Sequence, residues 1–159
     1  MNDRLLRRLK PFIRRGVGFL ARLTRPMTLG VRVLVRDEAG RVFLVRHSYL
    51  PGWYLPGGGV DAGETMAAAA LRELREEGGL IGEAPRLLGL YHNRRTSKRD
   101  HVALYGIDRF RPTTPAWMPN AEIRAVGFFA LDALPDDTSA ATRRRIREVV
   151  EGLEPDEIW

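Results

Sequence analysis

The stretch Gly58–Leu80 reads GGVDAGETMAAAALRELREEGGL, and the spacing of its charged residues decides how the rest of the chain is read. Residues Thr65 to Glu77 hold an alanine run, two leucines and no proline, a composition that predicts a helix. Gly78 and Gly79 predict its end, since glycine takes the left-handed cap conformation without a steric penalty. With roughly 3.6 residues per turn, Glu73, Glu76 and Glu77 stand at i, i+3 and i+4 and share one helix face. Carboxylates this close repel one another and raise each other's pKa unless a cation sits among them. A hard dication such as Mg²⁺ suits the set, because it prefers oxygen ligands and bridges carboxylates to phosphates.

Ahead of the helix, Pro56-Gly57-Gly58-Gly59 predicts a loop whose backbone approaches a ligand that any Cβ would hold away. Asp61-Ala62-Gly63 then turns the chain into the helix. Glu64, at the entrance, either favours the positive end of the helix dipole or braces the loop. Arg72, one turn before Glu76, is a fixed cation that orients a carboxylate without titrating.

Gly58, Glu64, Arg72, Glu73, Leu74, Glu76, Glu77, Gly79 and Leu80 together fill every fixed position of the pattern GX5EX7REUXEEXGU, with U aliphatic. On these residues the chain resembles the Nudix hydrolase family, strongly within this box and loosely across Met27 to Val150. The resemblance implies an enzyme that cleaves a nucleoside diphosphate linked to another moiety, by attack of water on phosphorus, with Mg²⁺ or Mn²⁺ as cofactor. It implies metal binding by Glu73, Glu76 and Glu77, with the Gly57 carbonyl as a further ligand. The family does not keep its general base in one place, and two candidates stand here. Glu122 opens the segment EIRAVGFFALDALP after a proline-containing loop, and Glu73 lies beside Arg72, which would tune it.

Candidate substrate contacts are the Gly58 backbone, Tyr54 (or Trp53) stacking on a base, and Arg94 with its basic neighbours Arg95, Lys98 and Arg99 on phosphate. His47 and Tyr49 also lie just before the glycine loop. The proline and tyrosine that mark ADP-ribose pyrophosphatases and dinucleoside polyphosphate hydrolases beyond the box are absent, since Thr96, Ser97 and Lys98 stand there, so the substrate stays open. Two other activities fit the resemblance. One is a non-catalytic nucleotide sensor, whose mark would be a degraded box, whereas this box is intact. The other is a pyrophosphohydrolase acting on RNA 5′ ends.

The 159 residues suit one domain with a core large enough to need no staples. There are no cysteines, which excludes disulfides, thiolate metal sites and cysteine nucleophiles, and fits a reducing, cytoplasmic setting. It also weighs against the isopentenyl diphosphate isomerases that share the Nudix fold, which use a catalytic cysteine. All but Lys10 and Lys98 of the 26 basic residues are arginine, so no arginine is functional merely for being one. The net charge of +6 gathers in residues 1–26, where Asp3 is the sole acid, and this weighs against nucleic acid as a partner of the domain itself.

Alternating valines predict a strand from Thr28 to Arg36, paired as a hairpin with Val42 to Val45 across the turn Asp37-Glu38-Ala39-Gly40. Trp53 to Leu55, Arg86 to His92, His101 to Phe110 and Ile123 to Ala130 read as further strands. Asn93 to Asp100 is a polar turn and Arg111 to Asn120 a loop. Thr138 or Ser139 caps a last helix in which Ile146, Val149, Val150 and Leu153 recur at helical spacing. Strands on both sides of a helix imply an α/β sandwich with a mixed sheet, and the resemblance implies the α/β/α Nudix form.

Residues 1–26 form an extension distinct from a domain at 27–159. Leu5, Leu9, Phe12, Ile13, Phe19, Leu20 and Leu23 fall on one side of a helical wheel with most arginines opposite, a basic amphipathic pattern. Pro11 divides it into two short helices. Docking on the domain or on a sister subunit in a homodimer, contact with an anionic membrane surface, and attraction to RNA are the roles open to it.

Overall fold

A computed structural model describes residues 27–159, so the amphipathic extension expected for residues 1–26 lies outside the described residues. The chain runs β1 (Thr28–Val35), β2 (Val42–His47), α1 (Met66–Gly78), β3 (Leu80–Glu83), β4 (Arg86–His92), β5 (Asp100–Ile107), β6 (Arg109–Pro112), β7 (Ile123–Phe129) and α2 (Ala140–Glu151). The sheet containing β1 is mixed: β5 pairs with β1 in parallel and with β4 antiparallel. Separately, β2 pairs with β7, and β3 with β6, both antiparallel.

Strand alternation builds two cores. Val31, Val33 and Val35 of β1, Ala103, Tyr105 and Ile107 of β5, and Phe43 and Val45 of β2 pack with Ala69, Ala70 and Leu74 of α1. The residues between them, Leu34, Leu104, Val42 and Leu44, turn the other way and pack with Tyr91 and Ile146 of α2. Burial on both faces makes these strands apolar nearly throughout, as a strand covered by helices on both sides must be.

Four expectations are corrected. β1 and β2 do not form a hairpin. The Asp37 carboxylate does fix the turn, accepting the Ala39 and Arg41 N–H groups at 3.1 and 2.8 Å, but beyond one bridge between Arg36 and Val42 the strands part into different sheets. The segment Trp53 to Leu55 makes only single bridges, Tyr54 to Val45 and Trp53 to Thr138. The strand expected from His101 to Phe110 breaks at Asp108, and its second half, β6, pairs with β3, for which no strand was expected. On α2, Ile146 is buried, but Val150 faces solvent, as does Leu153 just past the helix end, and Arg145 takes an inner position instead.

The expected box helix forms with Thr65 as N-cap, its hydroxyl accepting the Ala68 N–H at 3.1 Å, and Gly79 as left-handed C-cap at φ 62°. Ser139 caps α2 in the same way, on the Thr142 N–H.

Candidate metal and substrate site

The glycine loop lies across β1 and meets the inner face of α1. Val31 donates its N–H to the Gly58 carbonyl at 2.9 Å and Val33 to the Pro56 carbonyl at 2.9 Å, which lays the loop alongside β1. Gly57 sits at φ 144°, where a Cβ would collide with the Val31 carbonyl. A Cβ on Gly58 would come within 2.5 Å of the Glu73 carboxylate, so glycine here lets α1 and the loop close on each other.

Glu77, 5% exposed, accepts the Gly57 N–H on Oε2 at 2.8 Å. Burial pushes its pKa up to about 7, against the opposing pull of that hydrogen bond and of Arg32. Burial also raises Glu73, outweighing the Arg72 guanidinium 2.7 Å away. Glu76 is exposed and reaches Arg72 at 3.3 Å. Arg72 is the organiser of the group. Its Nε and Nη2 hold the two oxygens of Glu64 at 3.0 Å each, and Nη2 also donates to the Gly59 carbonyl at 2.9 Å. Glu64 in turn accepts the Asp61 N–H at 3.1 Å, so it ties loop to helix, and the hydrogen bond from Arg72 holds its carboxyl below the usual range.

Glu73, Glu76 and Glu77 line one cleft of about 300 Å³ together with Asn120, Ala121, Glu122 and Ile123. The seam of β2 and β7 brings Glu122 there: Ser48 donates its N–H to the Glu122 carbonyl and its hydroxyl to the Ala121 carbonyl, both at 2.7 Å. A β-bulge between Arg46 and His47 re-aims the end of β2. One donor atom each from His47, Glu77 and Glu122 then lies within 4.8 Å of the others. This donor set fits a divalent cation, with Oε1 of a buried carboxylate 3.8 Å from Nε2 of a buried imidazole. Burial lowers the His47 pKa and so favours the neutral ring.

The other sequence candidates are distributed differently. The Gly57 carbonyl, considered as a metal ligand, accepts from Arg32 Nη1, which leaves its second lone pair open. Tyr54 donates its hydroxyl to the Pro51 carbonyl at 2.7 Å and lines a second cleft of about 520 Å³ with Arg32, Asn93, Arg95, Thr96 and Trp159. Arg94 is exposed on the turn after β4 and is not among the residues lining this cleft. Arg32, which joins the glycine loop to the second cleft, escaped the sequence reading. Its signal was an arginine on the opposite side of the strand from Val31, Val33 and Val35.

Residues 26–150 match the NUDIX domain. A putative 8-oxo-dGTP diphosphatase of Bacillus subtilis (strain 168) is 36% identical over 75 residues, 47% of this chain and 50% of that protein. An RNA pyrophosphohydrolase of Gluconobacter oxydans is 46% identical over 63 residues, 35% of this chain and 36% of that protein. The chain thus spans half or less of the length of these curated relatives. Among solved structures, a MutT NUDIX hydrolase from Burkholderia pseudomallei superposes with a TM-score of 0.63 at 29% identity, covering 77% of this chain and 97% of that one. An ADP-ribose pyrophosphatase from Streptococcus suis gives a TM-score of 0.63 at 26% identity, over 83% of this chain and 95% of that one.

Proposed function

The chain belongs to the NUDIX family, and on that premise we propose that it is a hydrolase, dependent on Mg²⁺ or Mn²⁺, that cleaves the diphosphate linkage of a nucleoside diphosphate joined to another moiety. The observation that carries this reading is the convergence of Glu73, Glu76, Glu77 and Glu122 on one cleft beside the glycine loop. A bound dication supplies the positive charge that neutralises the diphosphate and acidifies the attacking water. Glu73, Glu76 and Glu77 hold that charge in place. Arg72 orients Glu73 and keeps Glu64 as the brace between loop and helix. Glu122 and Glu73 both reach the cleft as acceptors for the proton of water. Glu73 is tuned by Arg72, whereas Glu122 has no arginine partner among the described residues, and the base is whichever of the two is not bound to metal.

Substrate recognition falls to the second cleft, where the Tyr54 ring offers a stacking surface and Arg32 and Arg95 attract phosphate. The hydrolase domain spans residues 27–159, with residues 1–26 as an appendage for docking, dimer or membrane contact. Among the described residues no helix is long and apolar enough to cross a membrane. The absence of cysteine supports a cytoplasmic setting. An RNA 5′-end activity is the second reading, favoured by the relative named for RNA and by the basic extension.

The test is Mg²⁺- and Mn²⁺-dependent release of phosphate or nucleoside monophosphate from a panel including 8-oxo-dGTP, ADP-ribose, UDP-sugars and 5′-triphosphorylated RNA. Glu77→Gln is expected to lose at least about 10²-fold in rate, because a charged ligand goes while its hydrogen bond to Gly57 survives. Binding without turnover in the unaltered protein would instead identify a nucleotide sensor.

A further inference from the structure

His47 is a histidine that the box does not require. It stands at the end of β2, 4% exposed, between the rings of Tyr49 and Tyr54 at centroid distances of 5.1 and 5.8 Å. Its Nε2 lies 3.8 Å from Glu77 Oε1, too far for a hydrogen bond, and its Nδ1 has no partner. It is Nε2, and not Nδ1, that faces the Glu77 carboxylate, and with no hydrogen bond across that 3.8 Å the buried ring and Oε1 are placed to share a ligand. Glu77 commits its other oxygen, Oε2, to the Gly57 N–H, which leaves Oε1 turned toward the ring. Glu122 approaches from the start of β7, with Tyr49 Oη 3.4 Å from its Oε1.

We propose that His47, Glu77 and Glu122 form a mixed nitrogen and oxygen site that takes a first-row transition-metal dication, Mn²⁺ in preference to Mg²⁺, which deepens and rests on the metal-dependent reading above. Two carboxylates and one imidazole supply oxygen and nitrogen donors from β2, α1 and the residue preceding β7 around one point. Mg²⁺ demands near-ideal octahedral oxygen coordination and gives up water reluctantly, whereas first-row transition dications add a nitrogen donor to carboxylates at less cost, Mn²⁺ being the weakest binder of that series. Donors bound at about 2.1 Å to one ion sit about 3 Å apart when adjacent and about 4.2 Å when opposite. The 3.8 Å between His47 Nε2 and Glu77 Oε1 lies between these two values, and the exposed side chain of Glu122, within 4.8 Å of both, can close on the ion by torsion.

The experiment titrates Mn²⁺ into the full chain and records pulsed electron paramagnetic resonance of the bound ion, which reports directly coordinated ¹⁴N. Expected is a ¹⁴N coupling that vanishes in His47→Phe, with Mn²⁺ bound at least about 10-fold more weakly and Mg²⁺, read by competition, weakened less than about 3-fold. Glu122→Gln, at an exposed position, is expected to weaken Mn²⁺ while keeping the ¹⁴N coupling, and it tests the site even if His47→Phe folds poorly. No ¹⁴N coupling in the unaltered protein, a coupling that persists in His47→Phe and so belongs to His92 or His101, or unchanged Mn²⁺ affinity in Glu122→Gln each overturns the site. Hydrolysis measured on the same samples separates the two readings. Cleavage without ¹⁴N coupling overturns the mixed site and leaves the hydrolase standing. Coupling without cleavage supports the site and removes the hydrolase.

Discussion

The two helical layers bury charge in opposite ways. Under α2, Arg145 is fully buried but well matched: its guanidinium lies 4.3 Å over the Tyr91 ring and 5.6 Å from that of Trp159, donates to the Ile158 carbonyl at 2.9 Å, and pairs with Glu148. Nε alone lacks a partner. Under α1, Glu77 is nearly as buried, yet it has one backbone donor and a histidine beyond hydrogen-bonding distance. A buried charge supplied with partners fixes a fold, whereas one left short of partners is a place prepared for something that binds.

The contrast is broken most severely from the α2 side. Arg145→Ala strands the Glu148 carboxylate beside Tyr91, whose hydroxyl donates to it at 3.2 Å, and leaves a gap over the Tyr91 ring. The expected cost is about 3–5 kcal/mol in denaturant unfolding. Divalent metal affinity, measured at a temperature where the variant is folded, should be unchanged. If that affinity falls together with stability, the two layers are not independent.

Glu77 gives the opposite result, with a defined pH window. Its pKa rises from 4.5 to about 7 on folding, so the folded chain holds the proton more tightly than the unfolded chain. Below about 4.5 both states are protonated and Glu77 contributes no pH dependence. As pH climbs from there to about 7 the metal-free protein should lose up to about 3 kcal/mol, and no more above it. Glu77→Gln should flatten this part of the stability curve. A saturating dication should restore about 2.7 kcal/mol at a hundred times its Kd in the unaltered protein at neutral pH. A metal-free stability that rises across the same window would mean that Glu77 is adequately partnered, and the contrast would fail.

How much of this was legible in the sequence follows the range of each interaction. The box helix and its caps were legible within a residue, because helix propensity, the Thr65 hydroxyl and the Gly78-Gly79 stop act within a turn or two. The clustering of box carboxylates on one face follows from the same local period. Of the strand partners, only β4 with β5, across the polar turn Asn93 to Asp100, was legible. The pairing of β1 with β5 is parallel and long-range, and nothing in Val31 to Val35 encodes it, whereas the tight Asp37 turn suggested a hairpin the sheets do not keep. Arg145 misled for a related reason. Helical periodicity ranks residues by apolarity, and a guanidinium lying over Tyr91 and beside Trp159 is buried by partners far along the chain. His47 was visible as a residue near the loop, but its approach to Glu122 depends on the β2 and β7 pairing and on the bulge at its end.

The smallest effect tests whether the difference lies in side chains or in helix ends. Thr65 and Ser139 cap their helices alike, each hydroxyl accepting an N–H three residues on at 3.1 Å. Thr65→Ala and Ser139→Ala should each cost about 1 kcal/mol, read as a shift in the unfolding midpoint. Glu73 to Glu77 begin roughly 12 Å along the helix from Thr65, so the extra stability gained on adding metal should be the same in Thr65→Ala as in the unaltered chain. If metal stabilisation shrinks in Thr65→Ala alone, the setting of the first turn governs the site through Glu64 and Arg72. The buried carboxylate would then be a consequence of helix placement and not the cause of binding.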